Sequence, residues 1–292
     1  MTSAPDRRFR AALVQLRSGR DVDANMQSAE ALIRRAAEGG AVYVQTPENT
    51  ALMELDSKRV LETAETEAAS APLARFRALA ADLGIFLHIG SLAIRLDGTG
   101  VANRSYLIDR EGGVAARYDK LHLFDVDLAG GESYRESDHA RPGAVAIVAD
   151  LPFGRLGLSI CYDLRFAALY RALALAGAEL IAVPAAFTKQ TGEAHWHVLI
   201  RARAIETGAF VLAATQGGLH ENGRSTFGHS LIVSPWGEIL AEGGEGPGVV
   251  FADIDLAASA EARARIPALK HGRDFEVAIA GGTPAAARKE AS

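Results

Sequence analysis

Short apolar segments recur along this chain, and helical patterns lie between them in neighbouring pairs. Residues 41–45 and 85–94 are apolar runs of strand length. Leu73, Phe76 and Ala80, in contrast, recur at the spacing of one helix face. Groups of strands separated by paired helices predict an α/β fold, a layered sandwich with mixed sheets rather than a uniform array of parallel β-α units.

The chain shows no linker or internal repeat that would divide it. Its 292 residues, 49% of them hydrophobic, are enough to bury a full core. We therefore expect a single domain over residues 9–276, preceded by a flexible N-terminal tail at residues 1–8. Residues 277–292 are expected to form a C-terminal tail or an arm that lies on a neighbouring subunit. Inside the domain, residues 122–141 show no regular period, and a loop of this length is usually functional or disordered.

The composition excludes several classes of partner. A net charge of −5 gives no electrostatic basis for binding nucleic acid or an anionic membrane. A single cysteine excludes an internal disulfide framework and a multi-cysteine metal site, and it favours a reducing compartment. No segment approaches the roughly 20 apolar residues of a membrane span. We therefore predict a cytoplasmic protein that acts on a small molecule, without a nucleic acid or membrane partner.

The only cysteine, Cys161, follows a strand pattern in the stretch RLGLSICYDLR. Leu156 and Leu158 alternate with small residues as a half-buried strand does, and the pattern becomes helical after Cys161. We expect Asp163 to cap the following helix, over residues 164–176, at its N-terminus. A thiol at such a turn faces unpaired N–H groups, which favour a thiolate and can hold an oxyanion. The structural alternative, more common for a lone cysteine, is a small buried hydrophobic residue.

Glu48, Lys120 and Cys161 share a position, since each comes just after a short apolar strand pattern. Catalytic groups in α/β proteins gather at strand ends, so we expect these side chains to converge on one site. Together they can hydrolyse an amide: a thiolate attacks the carbonyl, a carboxylate transfers the proton, and an ammonium group stabilises the tetrahedral oxyanion. Each residue also has a structural alternative when it is considered alone. Glu48 could cap a turn, Lys120 could be a solvated surface lysine, and Cys161 could be an inert residue of the core.

Several motifs of the chain resemble those of the nitrilase superfamily of carbon-nitrogen hydrolases, and within it the Nit-type amidases. They occur in the family's order and extend from about residue 9 to residue 275. The motifs are TPENT at 46–50, YDKLHLFDVDLAGGESYRES at 118–137, GLSICYDLRF at 157–166, PAAFTKQTGEAHW at 184–196, RARAIET at 201–207 and FGHSLIVSPWGEIL at 227–240. The resemblance implies a four-layer α-β-β-α sandwich that pairs with a second copy through helices near the active site, giving a homodimer or a higher homo-oligomer.

The same resemblance implies catalytic roles for individual residues. Glu48 matches the family's general base, Lys120 the lysine that supports the tetrahedral intermediate, and Cys161 the nucleophile that becomes a thioester. Glu136 matches a second glutamate that helps to position the lysine and the substrate. From the residues alone, Glu136 would instead be a solvated loop carboxylate.

The resemblance also implies an oxyanion hole and a substrate pocket. The backbone N–H of Tyr162 would complete the oxyanion hole with Lys120. Arg165, Phe187 and Thr191 fall where related amidases line the pocket for the far end of the substrate. The planar donor fork of Arg165 suits a substrate carboxylate, and its alternatives are an ion pair with Asp163 or a subunit contact.

These roles imply a hydrolase that cleaves the amide C–N bond of a small carboxylate-bearing ω-amide, of the 2-oxoglutaramate or deaminated glutathione type, and releases ammonia. The chemistry needs no metal ion and no organic cofactor. The alternatives are a nitrilase or an N-carbamoyl-amide hydrolase on the same scaffold, or a catalytically silent binding or scaffold protein that keeps the fold. Relatives often have Pro and Glu where this chain has Glu193 and His197, which bears on substrate preference and leaves the catalytic set intact.

Two other mechanisms have less support from the residues. His195 and His197 would suit a metal hydrolase, but residues two apart on a helix point to different sides, and no third ligand is evident. A papain-like mechanism would need a histidine beside Cys161. None of the eight histidines is tied to Cys161 by the sequence.

Overall fold

Two six-stranded β-sheets lie face to face and carry helices on their outer faces. The computed structural model describes residues 7–98, 100–128 and 131–280. The two expected tails fall mainly outside this part of the chain, because residues 1–6 and 281–292 are not among those described. The first strand begins at Arg8, so the last residue of the expected N-terminal tail is part of the first sheet.

The described residues form six α-helices, namely α1 (Val22–Glu38), α2 (Ser57–Thr63), α3 (Ala71–Leu83), α4 (Ala167–Leu175), α5 (Lys189–Thr207) and α6 (Ala257–Arg265). Side-chain oxygens accept backbone N–H groups at the starts of four of them, from Asp21 (α1), Asp56 (α2), Ser70 (α3) and Thr188 (α5). Gly208 ends α5 in the left-handed conformation, which glycine adopts easily. In the part of the chain described, none of these helices combines the length and the apolar character needed to cross a membrane.

The strands form two large sheets and two short hairpins. In chain order they are β1 (Arg8–Gln15), β2 (Tyr43–Gln45), β3 (Phe86–Arg95), β4 (Val101–Ile108), β5 (Val114–Asp119), β6 (Asp125–Asp127), β7 (Ser133–Arg135), β8 (Val148–Leu151), β9 (Gly154–Leu158), β10 (Leu180–Ala182), β11 (Phe210–Ala213), β12 (Gly217–Leu219), β13 (Ser225–Phe227), β14 (Leu231–Val233), β15 (Ile239–Glu242) and β16 (Gly248–Asp255). The first sheet has the order β16-β1-β2-β3-β4-β5, and the second has the order β15-β14-β11-β10-β9-β8. Both sheets mix parallel and antiparallel pairs, as expected.

The apolar core lies on both faces of the first sheet. Along β1, Ala11 and Leu13 pack into the cluster shared with the second sheet, whereas Ala12 and Val14 pack with α1 and α3. The second sheet packs its other face against α4 and α5, where Trp196 is fully buried. The layers therefore run helix, sheet, sheet, helix, which confirms the four-layer α-β-β-α sandwich.

The loop at residues 122–141 contains more regular structure than its sequence indicates. Strands β6 and β7 form an antiparallel hairpin within it, and a 3-10 helix, Glu136–Asp138, follows directly. Each strand has only three residues, which is too short for an alternating pattern to be visible in the sequence.

Gly90 allows β3 to pass directly beside the segment that precedes Glu48. Its N–H donates to Thr46 Oγ1 at 3.0 Å. A Cβ at position 90 would lie 2.3 Å from the carbonyl oxygens of Thr46 and Pro47, which are backbone atoms and cannot rotate away. Only glycine fits this contact.

We predict that Gly90→Ala destabilises the protein by at least about 2 kcal/mol, because inserting a methyl group into a packed site forces the backbone apart. The unfolding free energy, measured by denaturant titration, tests this. The matched control is Gly246→Ala in an open loop, where a Cβ meets no atom within 4 Å. Equal unfolding free energies for both variants and the wild type would contradict the prediction.

His88 is a buried, neutral histidine in the core of the first sheet. Its Nδ1 lies 2.9 Å from Tyr43 Oη and its Nε2 lies 2.6 Å from Ser105 Oγ. Burial lowers the pKa of His88 to about 3. The folded protein therefore resists protonation of a group that the unfolded chain protonates near pH 6.5.

We predict that His88 makes stability fall as the pH drops from about 6.5 towards 3, by up to about 1.4 kcal/mol per pH unit. The sign follows from a folded-state pKa below the unfolded one, so that the contribution is complete above pH 6.5 and is lost in acid. Unfolding free energies of His88→Gln at pH 7, 5 and 4 should show a shallower acid slope than the wild type. The exposed His271→Gln serves as control, and equal slopes for all three proteins would refute the assignment.

Candidate active site

Three strand ends meet beneath one cavity and bring Glu48, Lys120 and Cys161 together. Lys120 comes directly after β5, and Glu48 and Cys161 each come three residues after β2 and β9. The three residues are buried, with 3%, 2% and 6% of the surface of Glu48, Lys120 and Cys161 exposed. The expected convergence is present, and it spans both sheets, since β2 and β5 belong to the first and β9 to the second.

Lys120 lies between two carboxylates. Its Nζ donates to Glu48 Oε1 at 2.7 Å and to Glu136 Oε2 at 2.8 Å. Glu136 Oε2 also accepts the backbone N–H of Phe124 at 2.7 Å, and the Glu136 side chain is only 13% exposed. Glu136 therefore belongs to the buried ion cluster and is not a solvated loop carboxylate.

Asn103 joins the two carboxylates and was not identified from the sequence. Its Nδ2 donates to Glu48 Oε1 at 3.0 Å and to Glu136 Oε1 at 2.9 Å. Asn103 lies on β4, and its carbonyl accepts the N–H of Lys120 at 3.0 Å. The sequence offered one indication of this role, since Asn103 is a polar residue on an otherwise apolar strand. That strand pairs with β5, which ends just before Lys120.

Glu48 also faces the nucleophile. Its Oε2 accepts the N–H of Ala186 at 3.0 Å, and its carboxylate is hydrogen-bonded to the Cys161 thiol. One carboxylate therefore contacts both the thiol and the Lys120 ammonium. The side chain is fixed through both oxygens, so it can move a proton without changing its position.

Cys161 starts a 3-10 helix, Cys161–Arg165, with its backbone in the left-handed region at φ 48°. Its N–H donates to the carbonyl of Pro184 at 2.9 Å. Asn49, directly after Glu48, is also left-handed, at φ 58°. Non-glycine residues keep this conformation only where the surrounding contacts impose it. Both the nucleophile and the base are therefore held at sharp turns.

Asp163 holds the cysteine turn and does not cap the following helix. Its carboxylate, fully buried, accepts the N–H of Ile160 at 2.8 Å, the hydroxyl of Tyr118 at 2.7 Å and the N–H of His122 at 3.0 Å. Helix α4 begins only at Ala167 and has no side-chain cap. The expected cap was wrong because Asp163 lies inside the 3-10 turn and its carboxylate points back towards the end of β5.

The charges determine which groups carry protons at rest. Burial alone would lower the pKa of Lys120, but the Glu136 and Glu48 carboxylates outweigh burial and raise it. Burial alone would raise the pKa of Glu48, but the charge and hydrogen bond of Lys120 outweigh burial and lower it. Burial, reinforced by the Glu48 charge, raises the pKa of the Cys161 thiol well above its usual range. The resting site therefore pairs an ionised Glu48 with a neutral thiol, because burial and Glu48 outweigh the groups at the turn that favour a thiolate.

A cavity of about 300 Å³ opens above these side chains. Phe124 and Tyr134, from the loop at residues 122–141, form part of its wall, so the loop contributes to the pocket. A smaller hollow of about 10 Å³ adjoins Cys161 and is lined in part by Tyr162, Arg165, Phe187, Thr191 and Arg224. The residues expected to bind the far end of the substrate thus share one hollow with the nucleophile.

Arg165 is packed against aromatic rings at the mouth of this hollow. Its guanidinium carbon lies 5.3 Å from the ring centroid of Phe187 and 6.0 Å from that of Tyr162. Its Nη1 lies 3.3 Å from His195 Nδ1 in an exposed contact. Arg165 therefore remains available to an anion that enters from solvent.

Arg224 and Tyr134 line the large cavity, and sequence reasoning identified neither. Arg224 lies between β12 and β13, with its guanidinium carbon 5.0 Å from the ring centroid of Tyr134. The surrounding sequence, HENGRS, signals only a polar turn. Only the three-dimensional structure brings this turn to the cavity.

One cluster of side chains among residues 7–98, 100–128 and 131–280 has the donor atoms for a metal ion: His197, His229 and Glu242. Glu242 Oε1 lies 3.0 Å from His197 Nε2 and 2.7 Å from His229 Nδ1. As expected, His195 points elsewhere, towards Arg165. The carboxylate is satisfied by the two imidazoles, and the cluster is not part of the cavity wall around Cys161.

Sequence comparisons identify related proteins over most of the chain. The sequence profile of the family described as carbon-nitrogen hydrolase matches residues 10–264. A Yersinia enterocolitica protein named deaminated glutathione amidase is 40% identical over 265 residues, which cover 90% of this chain and 92% of the relative.

Comparison with solved structures also identifies related proteins over most of the chain. The crystal structure of the C. elegans NitFhit protein matches with a TM-score of 0.85 at 38% identity, covering 91% of this chain and 65% of that one. The structure of Saccharomyces cerevisiae Nit3, described as a member of branch 10 of the nitrilase superfamily, matches with a TM-score of 0.78 at 28% identity, covering 89% of this chain and 94% of that one. Together with the sequence match over residues 10–264, these similarities show that the chain belongs to the carbon-nitrogen hydrolase family.

Proposed function

We propose that this carbon-nitrogen hydrolase cleaves the terminal amide of a small carboxylate-bearing ω-amide through a cysteine thioester and releases ammonia. The observation that carries the proposal is the contact of one ionised carboxylate, Glu48, with both the Cys161 thiol and the Lys120 ammonium. The substrate class is supported by the relatives named deaminated glutathione amidase and by the arginines beside Cys161. Deaminated glutathione and 2-oxoglutaramate both fit this class.

In the first step, Glu48 takes the thiol proton while the sulfur attacks the amide carbon. The raised pKa of the thiol and the lowered pKa of Glu48 make prior formation of a thiolate unfavourable. Proton transfer therefore accompanies formation of the C–S bond, and the negative charge ends on the former carbonyl oxygen. That oxygen is stabilised by Lys120 Nζ and by the backbone N–H of Tyr162, near the start of the 3-10 helix.

Protonated Glu48 then returns its proton to the amide nitrogen. The C–N bond breaks, ammonia leaves, and the acyl group remains on sulfur as a thioester. Glu136 and Asn103 act through Lys120 and Glu48 as positioning residues, since they hold the ammonium and the carboxylate in place. In the second half-reaction Glu48 takes a proton from water as the water attacks the thioester. The C–S bond then breaks, and protonated Glu48 gives the proton to the departing sulfur, which restores the thiol and the ionised carboxylate.

Arg165, Phe187 and Thr191 line a hollow of about 10 Å³ beside Cys161, which is too small to hold a substrate chain. We therefore propose that these side chains border the far end of a substrate that occupies the adjoining large cavity. Phe187 packs on Trp196 with ring centroids 4.9 Å apart, which fixes the apolar wall. Arg165 supplies a cationic donor fork at the mouth of the hollow. An aliphatic chain that ends in a carboxylate matches this combination of an apolar wall and a cation.

We also infer that residues 9–276 act as one catalytic domain and that the chain assembles as a homodimer or a higher homo-oligomer. The family match over residues 10–264 supports the domain. The outer helices expose Leu175 on α4 and Val198 and Ile205 on α5, which supports assembly through these helices. A single cysteine that serves as nucleophile also suits a reducing, cytoplasmic compartment.

We predict that the wild type releases ammonia from 2-oxoglutaramate or deaminated glutathione, and that Cys161→Ala lowers the rate at least about 10³-fold because no thioester can form. The assay should run both proteins on these two amides, a neutral aliphatic amide, a nitrile and an N-carbamoyl amino acid. Unchanged circular dichroism and thermal unfolding of the variant show that the fold is intact.

The outcomes of this assay separate the alternatives. Turnover of the nitrile or the carbamoyl compound alone would replace the proposed substrate class by that of a nitrilase or carbamoyl-amide hydrolase. Turnover that survives in Cys161→Ala would exclude the thioester mechanism. Failure of the folded wild type on all five compounds would contradict the proposed function and favour a silent scaffold protein.

We predict that kcat/KM stays level as the pH is lowered through the range in which an ordinary glutamate is protonated, and that it falls only in stronger acid. Lys120 lowers the pKa of Glu48 against the effect of burial, so the base loses its charge only in stronger acid. Because the neutral thiol is the reactive resting form, kcat/KM should not rise tenfold per pH unit between pH 7 and 9. Such a rise would show that the enzyme depends on a pre-formed thiolate. Glu54→Gln, another glutamate of the cavity wall, is the control and should leave the acid limb in place.

A further inference from the structure

The large cavity is lined by several basic side chains, and the chain itself neutralises all but one of them. Lys120 donates to two glutamates, and Arg135 Nη2 lies 2.8 Å from Asp127 Oδ1. Burial lowers the pKa of His139, which keeps this imidazole neutral near pH 7. Arg224, in contrast, has no carboxylate oxygen within 4.0 Å in residues 7–98, 100–128 and 131–280. A permanently charged guanidinium therefore faces the cavity without a carboxylate in ion-pair contact, although its charge acts on the Glu48 carboxylate from a longer distance.

The hydrogen bonds of Arg224 are also incomplete. Its Nη2 donates to the carbonyl of Ala186. Its Nε is buried and has no acceptor among the residues described. Buried donors without an acceptor are rare and unfavourable, and each one calls for an explanation. A carboxylate that enters the cavity would form an ion pair with the guanidinium, a contact that the described part of the chain does not supply.

The backbone around Arg224 is held in place before any ligand binds. The N–H of Arg224 donates to Asn222 Oδ1 at 3.0 Å, and Asn222 Nδ2 donates to the carbonyl of Met53 at 3.1 Å. His220 anchors the start of the turn, with Nδ1 2.8 Å from the carbonyl oxygen of Ser18. The turn therefore presents its arginine at a fixed place, which reduces the entropy lost when an anion binds.

We propose that Arg224 binds the carboxylate of the substrate and thereby selects ω-amides over neutral amides. This inference rests on the proposed function, since it names the residue that recognises the charged end of the same substrate. Arg224 lines the large cavity and also the hollow that contains Cys161 and Thr191. A short dicarboxylic monoamide can therefore reach the nucleophile with its amide and Arg224 with its carboxylate.

The connection between Arg224 and the general base supports this placement. Ala186 donates its N–H to Glu48 Oε2 at 3.0 Å, and its carbonyl accepts from Arg224. A single residue thus fixes the anion-binding group relative to the base. Arg165 differs, because its polar contact to His195 is exposed to solvent and an anion bound there is more strongly screened by water and salt.

The test measures kcat/KM on 2-oxoglutaramate and on pentanamide, a neutral amide of similar length. We expect Arg224→Gln to lower the ratio of the two values about 100-fold, mainly through a higher KM for the charged amide, as loss of a charge-assisted hydrogen bond predicts. Arg224→Lys, which keeps the charge without the planar fork, should recover part of the ratio. Arg135→Gln is the matched control, because it removes a cavity arginine that already has a partner, and the ratio should change less than about threefold.

Each outcome is distinguishable. If the wild type hydrolyses neither charged amide of the earlier panel, the proposed function fails and the inference fails with it. If the wild type prefers the charged amide but Arg224→Gln lowers kcat/KM on both amides equally, Arg224 has a structural role and the inference is overturned. Loss of the preference in Arg165→Gln, with the ratio unchanged in Arg224→Gln, would assign the carboxylate to Arg165 alone.

Discussion

The active site depends on one buried cation, the ammonium group of Lys120. An uncompensated charge with 2% exposure would be several kcal/mol less stable than in water, so its partners must be in place for the fold to hold it. Glu48 and Glu136 supply the opposite charge, and Asn103 binds both carboxylates. Asn103 lies on β4, Glu48 and Lys120 follow β2 and β5 of the same sheet, and Glu136 comes from the loop at residues 122–141. The ion cluster therefore forms only when the register of β4 and β5 and the position of that loop are correct.

Glu48 also joins the two sheets. Its side chain receives the N–H of Ala186, and its backbone carbonyl receives Gln216 Nε2 at 3.1 Å, both from segments that follow strands of the second sheet. Cys161 likewise follows a strand of the second sheet, β9, so the distance from base to nucleophile is set by sheet-on-sheet packing. The same apolar clusters that stabilise the sandwich thus determine the geometry of the reacting groups.

The sequence predicted the layered fold and the convergence of Glu48, Lys120 and Cys161, because apolar runs identify strands and strand ends identify sites. It could not identify Asn103, because the register of β4 is what places this side chain between the two carboxylates. It could not identify Arg224 either, because this residue reaches the cavity from a turn that is remote in sequence. Asp163 was misassigned because capping is a local rule, whereas its carboxylate bonds to Tyr118, 45 residues away. The protonation of Cys161 could not be decided from the sequence, since the local turn favours a thiolate while burial and Glu48 oppose it.

Among the described residues, three non-glycine residues have a left-handed backbone, and two of them, Asn49 and Cys161, adjoin or form the catalytic set. Backbone strain of this kind persists only where the surrounding structure imposes it, and it is concentrated at active sites. Substitutions at these two turns that raise the melting temperature should therefore lower the rate of turnover. Glycine at position 49 would relieve the backbone yet loosen the loop that orients the base, so a gain in melting temperature there would come with slower catalysis.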